Sequence, residues 1–232
     1  MARIIAIVLG LMAPIGAAAD TQRPTILVDR EPSGIAIYFA TPAPMLEDVF
    51  GQGAEALLTP EGVVDIEGLY QGTFETADEI FRDVEVFIDG EPVAMEGLSM
   101  MVHDPAILPP FDSPLTAAMS IAVCNSPETV GKMGLDELVA FMGFFAWKAD
   151  PGSEVTLRFP ELGREPISFD LFDFGPTGVT PVETEIVADG GSVTLNPAVP
   201  VRGASLNGLL VAIGAIAAFV ILATGKRRRA EA

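Results

Sequence analysis

Residues suited to nucleophilic or acid–base chemistry are few in this sequence. The 232-residue chain has one histidine, His103, and one cysteine, Cys124. A histidine beside a thiol can act as its base, so these two residues are the first catalytic pair to consider. We interpret them instead as a loop histidine and a buried thiol that follows the apolar run 117–123. A single histidine also excludes metal sites built from several histidines. We therefore assign no catalytic residue and no cofactor.

Carboxylates are the other candidates for chemistry, since the chain has 32 Asp and Glu residues. Asp170 with Asp173, or Asp65 with Glu67, would offer the oxygen ligands that calcium prefers. Neither pair has the spacing of the twelve-residue calcium loop, so we interpret them as solvated groups and assign no metal. Paired carboxylates keep a membrane-tethered, carboxylate-dependent hydrolase open as an alternative function.

The charge distribution limits the class of partner. Residues 20–205 contain 8 of the 13 basic residues and 31 of the 32 acidic ones, a formal charge of −23. Such a surface repels nucleic acid and anionic lipid headgroups, so DNA or RNA binding is excluded. Gly51-Gln52-Gly53 lacks the third glycine of a dinucleotide-binding turn, and no phosphate-binding Gly-Lys-Ser/Thr sequence occurs.

The N-terminus has the layout of a secretory signal peptide over residues 1–19. Arg3 supplies a basic start, 4–15 an apolar core, and Ala17-Ala18-Ala19 a small-residue cleavage site. The apolar run is short for a membrane span and Pro14 interrupts it, so cleavage is favoured over an uncleaved anchor. The sequence therefore predicts an exported chain that begins at Asp20.

A second apolar stretch, residues 206–225, contains no charged residue and is followed by Lys226, Arg227, Arg228 and Arg229. Twenty helical residues at a rise of about 1.5 Å span roughly 30 Å, the thickness of a bilayer core. Basic flanks favour the cytoplasmic side. We expect a transmembrane helix over 206–225, a cytoplasmic tail over 226–232, a juxtamembrane linker over 196–205 and an acidic β-rich domain over 20–195.

The same tail resembles a bacterial sorting signal. A proline-containing linker, Val199-Pro200-Val201, precedes the apolar span, and a basic cluster follows it. This arrangement resembles the C-terminal signals of the PEP-CTERM type, which implies recognition and cleavage by an exosortase. No Pro-Glu-Pro precedes the span here, and an ordinary stop-transfer anchor has the same features. A surface protein processed at its tail is thus the alternative to an anchored one.

The location follows from the two ends and from the missing modifications. One cysteine cannot form an internal disulfide, and the sequence has no Asn-x-Ser/Thr glycosylation site. An exported domain with neither feature is typical of a bacterial periplasm. We expect a protein of the bacterial cytoplasmic membrane, with a periplasmic domain, the N-terminus outside and the C-terminus in the cytoplasm.

Alternating polarity between Gly, Pro and Asp turns predicts about eight strands in an antiparallel β-sandwich-like domain. The expected hairpins pair 25–29 with 34–40, 84–88 with 91–95, 154–159 with 167–172, and 181–187 with 192–195. Asp89-Gly90 is typical of a two-residue hairpin turn, and Pro92 is expected on an edge strand.

One segment predicts an α-helix inserted into this domain. Ser126-Pro127 suits a helix start, and Asp150-Pro151-Gly152 a stop. Between them, apolar residues recur at helical spacing, and we expect the helix over 135–147. Aromatic side chains dominate protein interfaces, so the candidate partner-contact residues on its second face are Phe141, Phe144 and Trp147.

The predicted membrane helix offers a further contact surface. Ala204, Gly208 and Ala212 recur every four residues, a spacing at which small side chains let helices approach closely. Together these features predict a single-pass envelope protein with a binding domain, an accessory or scaffolding component of a membrane assembly. We expect the membrane and a protein as its partners and no enzymatic activity.

The mature mass distinguishes the anchor from the processed tail. We expect the protein purified from its membrane to begin at Asp20 and to retain Lys226 to Arg229, because an anchor keeps its cytoplasmic flank. Intact-mass spectrometry measures both ends at once. A mass short of the tail would contradict the anchor and support the sorting signal.

Overall fold

The computed structural model describes residues 23–53, 55–147, 150–175 and 183–195, with the backbone of 178–179. Within these ranges the protein is mainly β, with two sheets and a few helices. No helix in this part of the chain is both long and apolar enough to cross a bilayer. The predicted signal peptide, linker, membrane helix and tail lie outside the described residues, as do Ala204, Gly208, Ala212 and Lys226 to Arg229.

The strands are, in chain order, β1 (Thr25–Glu31), β2 (Gly34–Pro42), β3 (Glu85–Ile88), β4 (Glu91–Val93), β5 (Glu96–His103), β6 (Val139–Trp147), β7 (Val155–Arg158), β8 (Ile167–Gly175), β9 (Gly178–Val179), β10 (Glu183–Val187) and β11 (Ser192–Leu195). The α-helices are α1 (Leu46–Phe50), α2 (Ile66–Ile80), α3 (Pro114–Ala122) and α4 (Pro127–Val130). Short 3-10 turns occupy Ala43–Met45, Glu55–Leu57, Pro105–Ile107 and Leu135–Glu137.

The larger sheet has the order β10-β8-β1-β2-β6-β5, with β9 paired to β8, and the smaller sheet the order β11-β7-β3-β4. Strands β1 and β8 run parallel, and the other pairs are antiparallel. One buried cluster contains apolar side chains of both sheets, among them Ile26, Val28, Val86, Leu157 and Val193. A second cluster lies on the other face of the larger sheet, around α3.

Two of the four predicted hairpins form, β1–β2 and β3–β4. Strands β1 and β2 pair up to Glu31 and Gly34, so the turn has two residues instead of the expected four. Strands β3 and β4 join through Asp89 and Gly90, both with positive φ, at 52° and 80°. Positive φ at both positions is what a type I′ turn requires. The edge position of β4 also accommodates Pro92, which lacks an N–H donor.

Two predicted pairings are wrong because the consecutive strands lie in different sheets. Strand β7 does not pair with β8: it lies in the smaller sheet between β11 and β3, whereas β8 lies in the larger sheet beside β1. Strands β10 and β11 do not form a hairpin either, since β10 pairs with β8 and β11 with β7. In both cases the connecting turn carries the chain from one sheet to the other.

The helix predicted over 135–147 is also wrong. Residues Val139–Trp147 form β6, an inner strand of the larger sheet between β2 and β5. The first eight of its nine residues are buried, because both faces of the sheet are covered. When nearly every position is apolar, helical spacing occurs by default and periodicity cannot separate a helix from a strand buried on both faces.

Two helices, α2 and α3, were not among the elements predicted from the sequence. Asp65 caps α2, its Oδ1 accepting the Gly68 N–H at 2.9 Å. Ser113 caps α3 by accepting the Thr116 N–H, and Pro114 occupies the first turn. Both caps are ordinary N-terminal helix signals.

One buried ion pair crosses the interior. Arg30 on β1 is 3% exposed, and its Nε donates to Asp173 Oδ1 on β8 at 2.8 Å. Its remaining nitrogens donate to the carbonyl of Ser153, before β7, and to that of Leu195, the last residue of β11, at 3.2 Å. Because these partners belong to both sheets, the guanidinium ties the sheets together.

Arg30→Met should lower the free energy of unfolding by about 3–5 kcal/mol, because it leaves the Asp173 carboxylate buried without its cation. The matched control is Arg158→Met, which removes an ion pair with Glu85 whose side chains are both more than half exposed. We expect the control to change stability by less than about 1 kcal/mol. Urea unfolding of the full chain measures both, and equal losses would contradict a special role for Arg30.

Candidate functional site: an apolar face on two helices

The three aromatic residues expected at an interface have different environments. Phe141 and Phe144 on β6 are buried and belong to clusters on opposite faces of the larger sheet. Phe144 stacks on Phe81, with ring centroids 3.8 Å apart. Trp147 is 60% exposed, and its Nε1 donates to Glu96 Oε2 at 2.7 Å. Of the three, Trp147 alone is accessible to a partner, so the expected aromatic surface is not assembled on this segment.

His103 is not a loop residue but the buried end of β5. Its Nε2 donates to the Ser120 carbonyl of α3 at 2.7 Å, and its Nδ1 is buried without a hydrogen-bond partner among the described residues. Burial lowers the pKa of His103 below 6.5, and the bond to Ser120 opposes this only in part. The imidazole is thus neutral at neutral pH and attaches α3 to the sheet.

Cys124 is a buried thiol, as expected from its apolar surroundings. Burial raises its pKa above 9.0, so the thiol stays protonated at neutral pH and is a poor nucleophile. Its backbone N–H donates to Tyr70 Oη at 3.3 Å, whereas His103 bonds to Ser120. In the described part of the chain no hydrogen bond joins the two side chains, and the geometry offers no nucleophile–base pair.

The carboxylates considered for calcium are engaged separately. Asp173 binds Arg30, and Asp170 accepts from the Thr184 hydroxyl at 2.8 Å. Asp65 serves as the cap of α2, and Glu67 lies in the first turn of that helix. Across the residues that the structure describes, no group of three or more His, Cys, Asp or Glu side chains is arranged to hold a metal ion.

Asp29 is the carboxylate with the most altered titration. Burial, and then the charge of Glu31, raise its pKa from 3.8 to about 6. The same surroundings raise the pKa of Tyr38 to about 12. Because Asp29 must ionise in a half-buried position above pH 6, its charge opposes folding at neutral pH. A raised carboxyl pKa is a feature of general acids, which lie in clefts. Asp29 would therefore be a candidate general acid if it lined a cleft.

Two clefts of the described structure do not contain Asp29. A cleft of about 450 Å³ lies between Arg82, Glu85, Arg158 and the turn at Pro160. Another of about 350 Å³ lies between α2 and the β3–β4 hairpin and is lined mainly by apolar residues, with Asp78 and Arg82. Neither cleft is lined by Asp29, His103 or Cys124.

Helix α3 has an unusual distribution of side chains. It contains no charged residue, and its small or polar residues Ala117 and Ser120 face inward. Ile121 is also buried, but two other larger apolar residues point to solvent: Leu115 is 72% exposed and Met119 63%. Val123, one turn further, is 57% exposed. A solvated helix normally places polar residues outward, so this side of α3 has the character of a contact surface.

The approach of α3 to the sheet depends on the absence of one side chain. A Cβ on Gly143 of β6 would lie 2.6 Å from the Ile121 side chain of α3 and 3.1 Å from Tyr38. Gly143 therefore leaves the space into which Ile121 packs. Together with the bond from His103 to Ser120, this contact fixes which side of α3 faces inward and leaves Leu115 and Met119 outside.

Helix α2 adds two exposed aromatic residues to this surface. Tyr70 and Phe74 are four residues apart, on either side of a kink at Gly72, and about half of each residue is exposed. The bond from the Cys124 N–H to Tyr70 Oη brings the end of α3 to α2 beside Val123. We name the five residues the α2–α3 apolar face: Tyr70, Phe74, Leu115, Met119 and Val123.

Removing the imidazole should remove one part of the pH dependence of stability. Since the folded-state pKa of His103 is lowered, the unfolded chain binds the extra proton and the free energy of unfolding falls as pH drops below about 6.5. His103→Gln keeps a neutral donor for the Ser120 carbonyl. It has no imidazole to protonate, so this fall in the free energy of unfolding should be absent. Urea unfolding between pH 8 and pH 5 measures it, because His103 is the sole histidine. A constant difference between variant and wild type would contradict the lowered pKa.

Comparison with known proteins adds no family to this description. The sequence matches no protein-family model. No curated protein is significantly similar to it. Neither comparison therefore indicates a function. The α2–α3 apolar face is the surface feature that packing within the domain does not explain.

Proposed function

We propose that this chain is a single-pass, membrane-anchored envelope protein whose sandwich-like domain faces the bacterial periplasm and binds another protein. In this role it acts as an accessory or scaffolding component of a membrane assembly. The signal-peptide pattern of 1–19, the apolar span 206–225 and the basic cluster 226–229 support the topology. The linker of ten residues reaches at most about 35 Å, so the domain works close to the membrane.

The observation that carries the proposal is the α2–α3 apolar face. Exposed apolar residues scattered singly are normal on a protein surface, but Leu115 and Met119 share one side of α3, Val123 follows that helix, and the hydrogen bond from Cys124 to Tyr70 brings α2 next to it. Leaving them in water costs free energy that a partner recovers on binding. Packing requirements do not account for them, since α3 is attached to the sheet through its other side.

Binding also agrees with the chemistry of the interior. His103 holds α3, Asp173 binds Arg30, and Asp65 caps a helix, so these side chains, first considered for chemistry, have structural partners. The apolar side chains Phe74, Leu115, Met119 and Val123, in contrast, are exposed. A binding protein needs a rigid scaffold beneath its contact residues, and α2 and α3 both pack against β5.

The test is co-purification of the full chain from its native membranes in a mild non-ionic detergent. We expect a discrete partner with the wild type and its loss with the double variant Leu115→Ser and Met119→Ser, because truncating exposed anchor residues removes the buried area of the interface. Ile186→Ser is the matched control: Ile186 is equally exposed at 70%, but it lies on the edge strand β10.

Two outcomes would contradict the proposal. A lone monomer of the wild type in several detergents would show that no stable partner exists. Equal recovery of the partner with the double variant and with Ile186→Ser would show that the apolar face is not the contact surface. Thermal unfolding of each variant confirms that folding is unchanged, since exposed substitutions usually alter stability by no more than about 0.5 kcal/mol.

A further inference from the structure

We propose, on the basis of the binding function above, that the α2–α3 apolar face receives an amphipathic helix of the partner whose flanking residues are basic. The occupant is thus a cationic protein segment and not the lipid surface or a second acidic copy of this chain. The inference rests on the charges that border the face and on the spacing of the residues within it.

The border of the face is acidic on the α2 side. Glu67 and Asp78 lie on the same side of the helix as Tyr70 and Phe74, one beyond each end of the aromatic pair, with Glu75 beside Phe74. Glu67 and Glu75 are exposed. Helix α2 contains no Lys, Arg or His. An incoming segment therefore meets apolar side chains in the centre and negative charge at the rim.

The α3 side has the same character. Between residues 104 and 131 the chain contains Asp104, Asp112 and Glu128 and no basic residue. Asp112 immediately precedes the cap of α3 and is exposed. A partner with basic flanks is attracted by these carboxylates, whereas anionic headgroups or another copy of this acidic domain are repelled. Charge therefore selects a cationic occupant.

The spacing of the apolar residues suits a helix. Leu115 and Met119 are four residues apart on α3, so they form a short ridge with a spacing of about 6 Å. Residues at this interval interlock with the i, i+4 rows of another helix. The α3 ridge corresponds to about one turn of the occupant, and Tyr70 and Phe74 of α2 lie on either side of the kink at Gly72.

The test measures binding of a fluorescent amphipathic helix of Leu and Lys to the full chain in phosphatidylcholine nanodiscs, with empty discs as the baseline. The comparison peptide replaces every Lys by Glu in the same pattern. We expect the Leu/Lys peptide to bind at least about tenfold more tightly, with an affinity that falls as salt is added. Leu115→Ser with Met119→Ser should weaken it by about tenfold or more, and Ile186→Ser should not.

The acidic rim is tested separately. Glu67→Gln with Glu75→Gln should reduce the affinity and flatten its salt dependence, whereas Glu161→Gln with Glu165→Gln, at exposed carboxylates outside both helices, should not. Equal binding of the two peptides, or Leu/Lys binding that survives the Leu115 and Met119 substitutions, would overturn the cationic occupant. Patch-dependent association with phosphatidylglycerol vesicles would overturn it in favour of lipid. In these cases loss of the native partner with the same substitutions would still support the protein-binding function.

Discussion

The guanidinium of Arg30 joins the two sheets, because its acceptors come from both. Asp173 lies on β8 of the larger sheet, the carbonyl of Ser153 lies before β7, and that of Leu195 ends β11 of the smaller sheet. The pair with Asp173 lies within the larger sheet, so a different packing of the two sheets would break the hydrogen bonds to the smaller one. The contact to Leu195 also fixes where the chain leaves the domain, immediately before the predicted linker to the membrane.

Buried contacts also determine which side of α3 is exposed. Gly143 on β6 and His103 on β5 determine how α3 packs on the larger sheet, one by leaving space for Ile121 and the other by binding the Ser120 carbonyl. With Ala117, Ser120 and Ile121 held there, α3 presents Leu115 and Met119 outward. The apolar face is therefore a consequence of rigid packing, which suits a surface that binds without first having to be ordered.

Features that depend on neighbouring residues could be predicted from the sequence, and those that depend on distant ones could not. The β1–β2 and β3–β4 hairpins follow from short turns, where Asp89-Gly90 alone suffices. The pairing of β8 with β1 joins residues about 145 positions apart, as in Asp170 with Thr25, and no local pattern encodes it. The candidate site was missed for a related reason: α3 is apolar on both sides, so only its packing reveals which side is exposed.

By itself the sequence determined a mainly β domain, the acidic charge of residues 20–205 and the apolar and basic segments from which a membrane topology is predicted. These are properties of composition and local order, which need no knowledge of the fold. The tertiary structure decided that 139–147 is a buried strand and not a helix, that Phe141 and Phe144 are core residues, and that Leu115 and Met119 are not. Burial depends on contacts between distant segments. The residue type alone does not show whether an apolar side chain lies in the core or on a binding surface.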